Sequence, residues 1–245
     1  MLRNIRMILQ YVGTKYHGWQ IQENAFSIQE IIEEKLSLIL NEKVRIIGAG
    51  RTDAGVHALA QVANFKTLNQ LPIHKIFKGI NSLLPEEIAV IDMGEAEMGF
   101  NARKDAKKKE YYYQIWNGEV IPPFLAPLAK HIPYKLDQER MSIAAAIFLG
   151  EHDFTSFCSS HSNIEDKVRT VYHSGIEVTG AMIKYRIIAN GFLQHMVRNI
   201  VGTLIEIGKR KHSEREIEEI LMARDRRKAG FAAPAKGLFL ARVYY

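Results

Sequence analysis

Residues 44–65 read VRIIGAGRTDAGVHALAQVANF. Val44–Ala49 and Gln61–Phe65 are short β-rich runs, and between them lies the loop Gly50–His57. Gly48, Gly50 and Gly55 bracket the polar triplet Arg51-Thr52-Asp53. The spacing is not a dinucleotide fingerprint, because Asp53 stands where G-x-G-x-x-G requires glycine, and no G-K-[ST] follows to make a phosphate loop. Two readings fit. One is a tight turn in which Asp53 bonds its own backbone. The other is a carboxylate held out on a loop whose glycines let a ligand come close.

Working outward, Arg3–Tyr11 alternates with Ile5, Met7, Leu9 and Tyr11 on one face and reads as a strand. Ser27 and Glu30 form a capping box opening a helix that carries Ile31, Ile32, Leu36, Ile39 and Leu40. Ile73–Leu84 reads as a helix ending before Pro85, and Ile88–Gly94 as a strand. In the second half Tyr111, Tyr113 and Ile115 alternate with Glu110, Tyr112 and Gln114 along a strand. Ile121–Pro133, which contains Pro122, Pro123 and Pro127, is loop or edge. Asp137–Leu149 is expected to be a helix closed at Gly150, and Val168–Thr179 with Met182–Asn190 a hairpin joined at Gly180. Phe192–Ile207 reads as an apolar helix stopped by Gly208. A second capping box, Ser213 with Glu216, opens a helix to about Ala223, and Leu238–Tyr245 ends the chain as a strand. Hairpin-like pairs outnumber β-α-β units, so the fold class is α+β with largely antiparallel sheet. The boundary is expected near 103–109, where charge is dense, giving domains of 1–105 and 106–245.

With 245 residues the chain is long enough for a core that needs no disulfides. Cys158 is its one cysteine, which excludes a disulfide framework and a cysteine zinc site and leaves Cys158 structural or incidental. No apolar run approaches the roughly 20 residues needed to span a bilayer, and MLRNIRMILQYVG does not read as a signal peptide. A reducing, cytoplasmic setting is expected. Net charge is +6, and residues 184–245 alone hold 13 basic and 6 acidic side chains, so the basic charge is concentrated there. Such a face suits a polyanion, although a solvated surface reads the same way. Lys209-Arg210-Lys211 and Arg226-Arg227-Lys228 are candidate phosphate contacts within it.

Two further features stand out. Arg198 lies in an apolar helix, where a buried charge requires a carboxylate partner; the alternative is an arginine that snorkels to solvent. Its helix carries Leu193, Val197, Ile200 and Leu204 as one stripe and His195, Arg198 and Gly202 on another face. Tyr111-Tyr112-Tyr113 follows Lys107-Lys108-Lys109. Basic residues beside strand aromatics suit a base-stacking platform, and an amphipathic strand with two core tyrosines has the same pattern. No G-x-S-x-G elbow and no histidine or cysteine metal set is present in the sequence.

Taken together, several segments resemble the TruA family of tRNA pseudouridine synthases, in family order from end to end. They are Gly13-Thr14 with Gly18-Trp19-Gln20, Gly48 through His57, Phe100 with Ala102-Arg103, and Ala106 with Tyr111 and Tyr113. Gly150 with His152-Asp153-Phe154, Gly191-Phe192 with His195 through Gly202, and Ala233-Pro234 with Gly237-Leu238 follow. GAGRTDAGVHA is the specific match. The resemblance implies two related RNA-recognition-like α/β domains sharing a central, mainly antiparallel sheet with a cleft between them, and a homodimer. It implies isomerisation of uridine to pseudouridine at positions 38 to 40 of the tRNA anticodon stem-loop, with no cofactor and no metal. Asp53 matches the family's essential aspartate, which attacks C1′ or removes the C2′ proton. Arg198 matches the arginine that pairs with it, Tyr111 the tyrosine that stacks on the target base, and Arg51 the arginine that fills the space of the flipped nucleotide. Lys209, Arg210 and Lys211 would then help hold the tRNA backbone. The chain departs from the family pattern at Val12, at Ser27-Ile28-Gln29, and at Lys109 and Glu110, where arginines are common. A paralogue acting on another RNA, such as ribosomal RNA, and a non-catalytic RNA-binding protein are the alternatives.

Overall fold

The computed structural model describes all residues from Met1 to Tyr245. Its chain divides into two compact units, Met1–Lys107 with Leu240–Tyr245, and Lys108–Phe239.

The first unit begins with β1 (Arg3–Tyr11), followed by α1 (Ile28–Leu40), β2 (Ile46–Gly48), β3 (His57–Thr67), α2 (Ile73–Leu83) and β4 (Ile88–Ala96). β1 pairs antiparallel with both β3 and β4, so Met7 faces Ala63 on one side and Met93 on the other. The expected alternation is what is observed: Ile5, Met7, Leu9 and Tyr11 are buried. From the helices Ile32, Leu36, Ile76 and Ile80 are fully buried as well. Burial of each such side chain contributes about 1.5–3 kcal/mol against chain entropy. Ser27 caps α1 by accepting from Glu30 N at 3.3 Å. Glu33, on the inner side of that helix, accepts from Ile46 N at 3.0 Å and from Gln29 Nε2 at 2.8 Å, which ties β2 to the helix. Asn4 and Asn64 form a buried amide pair at 2.9 Å. Asn4 donates to Glu97 O and Phe100 O, and Asn64 accepts from Ala102 N, so the segment after β4 is stapled to the sheet. The last residues of the chain return to this unit, where Tyr245 Oη donates to Ala102 O at 2.8 Å.

The second unit contains β5 (Lys108–Trp116), β6 (Lys130–His131), α3 (Gln138–Ala146), β7 (Gly150–Asp153), β8 (Val168–Thr179), β9 (Met182–Ala189), α4 (Met196–Gly208) and α5 (Glu216–Ala223); β10 (Leu238–Tyr244) starts at its end. β9 pairs antiparallel with β5 and β8, and β7 pairs with the outer edge of β8. β6 is the parallel partner, on β5. One sheet face buries Tyr113, Ile115, Ile183, Tyr185 and Ile187 completely, with Tyr113 directly opposite Tyr185. α4 is apolar nearly all round and buries eleven of its thirteen residues. The fold is therefore α+β with a mainly antiparallel sheet, as expected from the alternation.

Local details depart from the sequence reading. β3 starts at His57, four residues before the apolar run suggested, while β2 is shortened to Ile46–Gly48. α3 ends at Ala146 rather than at Gly150. Phe148 and Leu149 close the turn with i→i−3 bonds to Ala145 O and Ala146 O, and Phe148 is drawn into a ring cluster with Phe154 and Phe157. Gly150, at φ 96°, opens the unanticipated β7. α4 starts at Met196, because His195 adopts φ 62° and Leu193–Met196 forms a turn instead. The second capping box is half made: Glu216 accepts from Ser213 N at 2.8 Å, but the serine hydroxyl does not cap α5. Cys158 is buried and free, consistent with a structural role.

Candidate active site

The loop around Asp53 is pinned from several sides in the first unit. Asp53 O accepts from Val56 N at 3.1 Å, closing a turn with Gly55 at φ 77° in its third position, the type II pattern that favours glycine. Ala49 N donates to Val62 O at 2.8 Å and Gln61 Nε2 to Gly50 O at 2.7 Å, which fixes the way in. Trp19 N donates to Thr52 O at 3.0 Å and Gly55 N to Tyr16 O at 3.2 Å, so the segment after β1 lies along the loop. That approach requires glycine. A methyl group on Gly18 would lie 2.5 Å from Thr52 O, and one on Gly13 would lie 2.0 Å from Val56 O. Gly13 N also donates to Nδ1 of the buried His57 at 3.0 Å. Thr52 is buried, and its hydroxyl meets Tyr11 Oη at 2.9 Å. Burial pushes the Tyr11 phenol well above its ordinary range, so it remains a hydroxyl at neutral pH. The result is a rigid frame on which Asp53 is half-buried while Arg51 and Ala54 are exposed. The loop is thus a tight turn closed by the main-chain carbonyl of Asp53.

The second unit holds Tyr111 and Arg198. Tyr111 lies on β5, opposite Ile187 of β9, and is 7% exposed. Phe192 meets its ring edge-on, with centroids 4.9 Å apart and planes at 77°. Tyr112, on the opposite strand face, stacks on Phe239 at 4.7 Å. Arg198 is half-buried in the first turns of α4. Its Nε donates to Ala233 O at 2.7 Å, and Ala233 N donates to Arg198 O at 3.0 Å, so the helix and residue 233 are bonded both ways. Glu110, one of the departures from the family pattern, accepts from Arg186 Nε at 2.7 Å.

Several expected phosphate contacts have partners within the protein. Lys209 Nζ lies 4.8 Å over the Tyr134 ring, and Arg210 Nη2 is 3.0 Å from Asp137. Arg226 is part-buried and donates to Asn199 Oδ1 at 3.0 Å, whereas Lys211 and Lys228 are exposed. Exposed ion pairs contribute little, so Arg210 can exchange Asp137 for a phosphate at small cost. Sequence reasoning did not single out Tyr11 or Thr52 as supports of the Asp53 loop. Only the place of Tyr11 on the apolar strand face was legible, through strand alternation.

A family model described as tRNA pseudouridine synthase matches residues 7–103 and 144–245. A tRNA pseudouridine synthase A of Acetivibrio thermocellus is 45% identical over 244 residues, with all of both chains covered. That of Thermoanaerobacter sp. (strain X514) is 44% identical over 244 residues, again with full coverage of both. The Geobacillus kaustophilus protein of the same name is 44% identical over 246 residues, covering 100% of this chain and 95% of its own. A chain of a solved Cbf5-Nop10-Gar1 complex aligns with 96% of this chain and 57% of its own at 14% identity and a TM-score of 0.34, too remote to bear on the site. The matched segments contain Asp53, and they contain the whole of α4 with Arg198. The chain belongs to the tRNA pseudouridine synthase family.

Proposed function

We propose that the protein isomerises uridine to pseudouridine in tRNA, at positions 38 to 40 of the anticodon stem-loop. The observation that supports this most is full-length similarity to proteins named tRNA pseudouridine synthase A, coupled with an Asp53 loop held by both backbone and side-chain contacts. The reaction is an isomerisation. The N1–C1′ bond of the nucleotide breaks, the uracil turns, and a C5–C1′ bond forms. The C5 hydrogen leaves to solvent as a proton, and N1 ends protonated, with no net oxidation or reduction.

Asp53 acts as the anionic catalytic group. Attack at C1′ and removal of the C2′ proton both require its carboxylate form. Arg198 is its cationic partner in this reading, and an adjacent guanidinium favours that form while fixing its direction. Tyr111 stacks on the target base, and the exposed Arg51 occupies the gap that the flipped nucleotide leaves, since the reacting bonds are unreachable in a stacked stem. Residues 1–105 supply the aspartate loop, and 106–245 the tyrosine, the arginine helix and the basic surface. Lys209, Arg210 and Lys211 hold tRNA phosphates. The working form is a cytoplasmic homodimer that presents this surface to one tRNA.

Mapping pseudouridines in tRNA from a strain lacking the gene, and from the same strain complemented, tests the substrate. Loss at 38 to 40 with recovery on complementation is expected. Intact tRNA with a lost ribosomal pseudouridine would transfer the activity to the paralogue reading, and no lost pseudouridine would leave an RNA-binding protein.

A further inference from the structure

Residues 229–237 have little regular structure, yet they dock tightly on α4 and β5 of the second unit. The fit requires glycine on both sides. A methyl group on Gly202 of α4 would lie 1.6 Å from Phe231 O, and one on Gly230 would lie 2.8 Å from Thr203 N. Gly230 N donates to Thr203 Oγ1 at 2.9 Å, and that hydroxyl donates to Asn199 O. At the far end a methyl on Gly237 would lie 2.6 Å from the Tyr113 ring. Between these anchors two consecutive carbonyls are used differently. Ala233 O accepts from Arg198 Nε at 2.7 Å, and Pro234 O accepts from Tyr113 Oη at 2.8 Å.

We infer that Tyr113 is a positioning residue for Arg198, acting through the Ala233–Pro234 backbone. Tyr113 itself is fully buried on β5, two residues from Tyr111, and is distinct from it in role. Its hydroxyl is the donor, because a carbonyl can only accept. Burial raises its ionisation well above the ordinary range, against the opposing pull of the Arg198 charge, so the donor persists at every working pH. The bond to Pro234 fixes the carbonyl before it, and that carbonyl holds Nε of Arg198. A guanidinium is a planar fork, so fixing one nitrogen sets the plane of the other two. The two Nη nitrogens are thereby held in one orientation, which the proposed role of Arg198 requires. This inference rests on the reading of Arg198 as the partner of Asp53.

Tyr185 supplies a matched control. It faces Tyr113 across the β5–β9 pair, is equally buried, and bonds Ser174 Oγ through its own hydroxyl at 2.8 Å, away from residues 233 and 234. The experiment measures single-turnover pseudouridine formation on a tRNA transcript, tRNA affinity and thermal midpoint. The variants are Tyr113→Phe, Tyr185→Phe, Arg198→Ala and the double change at 113 and 198. Misplacing a catalytic group by about 1 Å costs on the order of 100-fold, so Tyr113→Phe is expected to slow the step by about 10- to 100-fold with tRNA affinity unchanged. Tyr185→Phe is expected to lose comparable thermal stability and keep its rate. In the Arg198→Ala background, Tyr113→Phe is expected to add no further loss. A Tyr113→Phe rate no lower than that of Tyr185→Phe overturns the inference, and so does a full extra loss in the double variant. Arg198→Lys gives an independent readout that does not depend on Tyr113 variants folding. It keeps the charge but has no Nε–H for Ala233, and it is expected to be slowed as well; wild-type speed would overturn the inference. Wild-type speed in Arg198→Ala would instead sink the underlying reading of Arg198, a distinguishable result.

Discussion

Thr52 and Asp53 are adjacent in sequence but do different work. Thr52 is buried and bonded to Tyr11, and Asp53 is half-buried on the loop that this bond steadies. Removing the Tyr11 hydroxyl leaves a buried threonine oxygen without that partner, which costs about 1–3 kcal/mol. Tyr11→Phe is therefore expected to lower the urea midpoint and to reduce turnover more than tRNA affinity; an unchanged midpoint would show that the bond holds nothing. At this scale the sequence was partly legible. Period-two alternation put Tyr11 on the apolar face of its strand and Tyr111 with Tyr113 on one shared face, and all three are buried. What each hydroxyl or ring then touches depends on distant residues, such as Pro234, that no local pattern announces.

Capping shows the same limit at the scale of elements. Ser27 with Glu30 and Ser213 with Glu216 are the same four-residue pattern. The first serine caps α1 through its hydroxyl, whereas α5 begins after Arg215, with Glu216 reaching back to Ser213 N. Ser27→Ala is thus expected to cost about 1 kcal/mol, and Ser213→Ala clearly less, because its backbone N–H survives the change. Equal losses in denaturant titrations would contradict the difference between the two helix starts. The strand over Arg3–Tyr11 was legible to the residue, since Ile5, Met7, Leu9 and Tyr11 alternate along it. The ends of α3 and α4 were not. Tertiary pull on Phe148 and a left-handed His195 decide them, and neither shows in periodicity. No periodic pattern assigned residues 229–237 to an element, although Arg198 is anchored there.

Charge acts at the scale of the whole molecule. In the second unit Asp137 is held below its ordinary value of 3.8 chiefly by the Arg140 backbone N–H, with help from Arg210. Asp225 is lowered to about 2 by Arg227, and Glu214 is lowered by Arg140. Each folded-state pKa lies below its unfolded value, so each contributes stability that is present above the ordinary carboxylate range and lost as pH falls through it, for Asp225 towards about 2. In the first unit Glu87, beside Lys15, is lowered in the same direction. Acid is expected to open the second unit first. Hydrogen exchange at pH 3 against pH 7 checks this: α3 and α5 should lose protection before β1, and uniform loss would contradict it. The basic surface has its own signature. Each alanine at Lys209, Arg210 and Lys211 that removes a phosphate contact should lower the salt slope of tRNA binding by about 1; an unchanged slope would take these residues out of the footprint. In the proposed reaction Asp53 drives the isomerisation, and tritium release from tRNA labelled at uridine C5 reports on it, because forming the C5–C1′ bond expels that hydrogen. Wild type is expected to release tritium, and Asp53→Asn to release none while binding tRNA nearly as well. Near-normal release by Asp53→Asn, or none by wild type despite tight binding, would contradict the account.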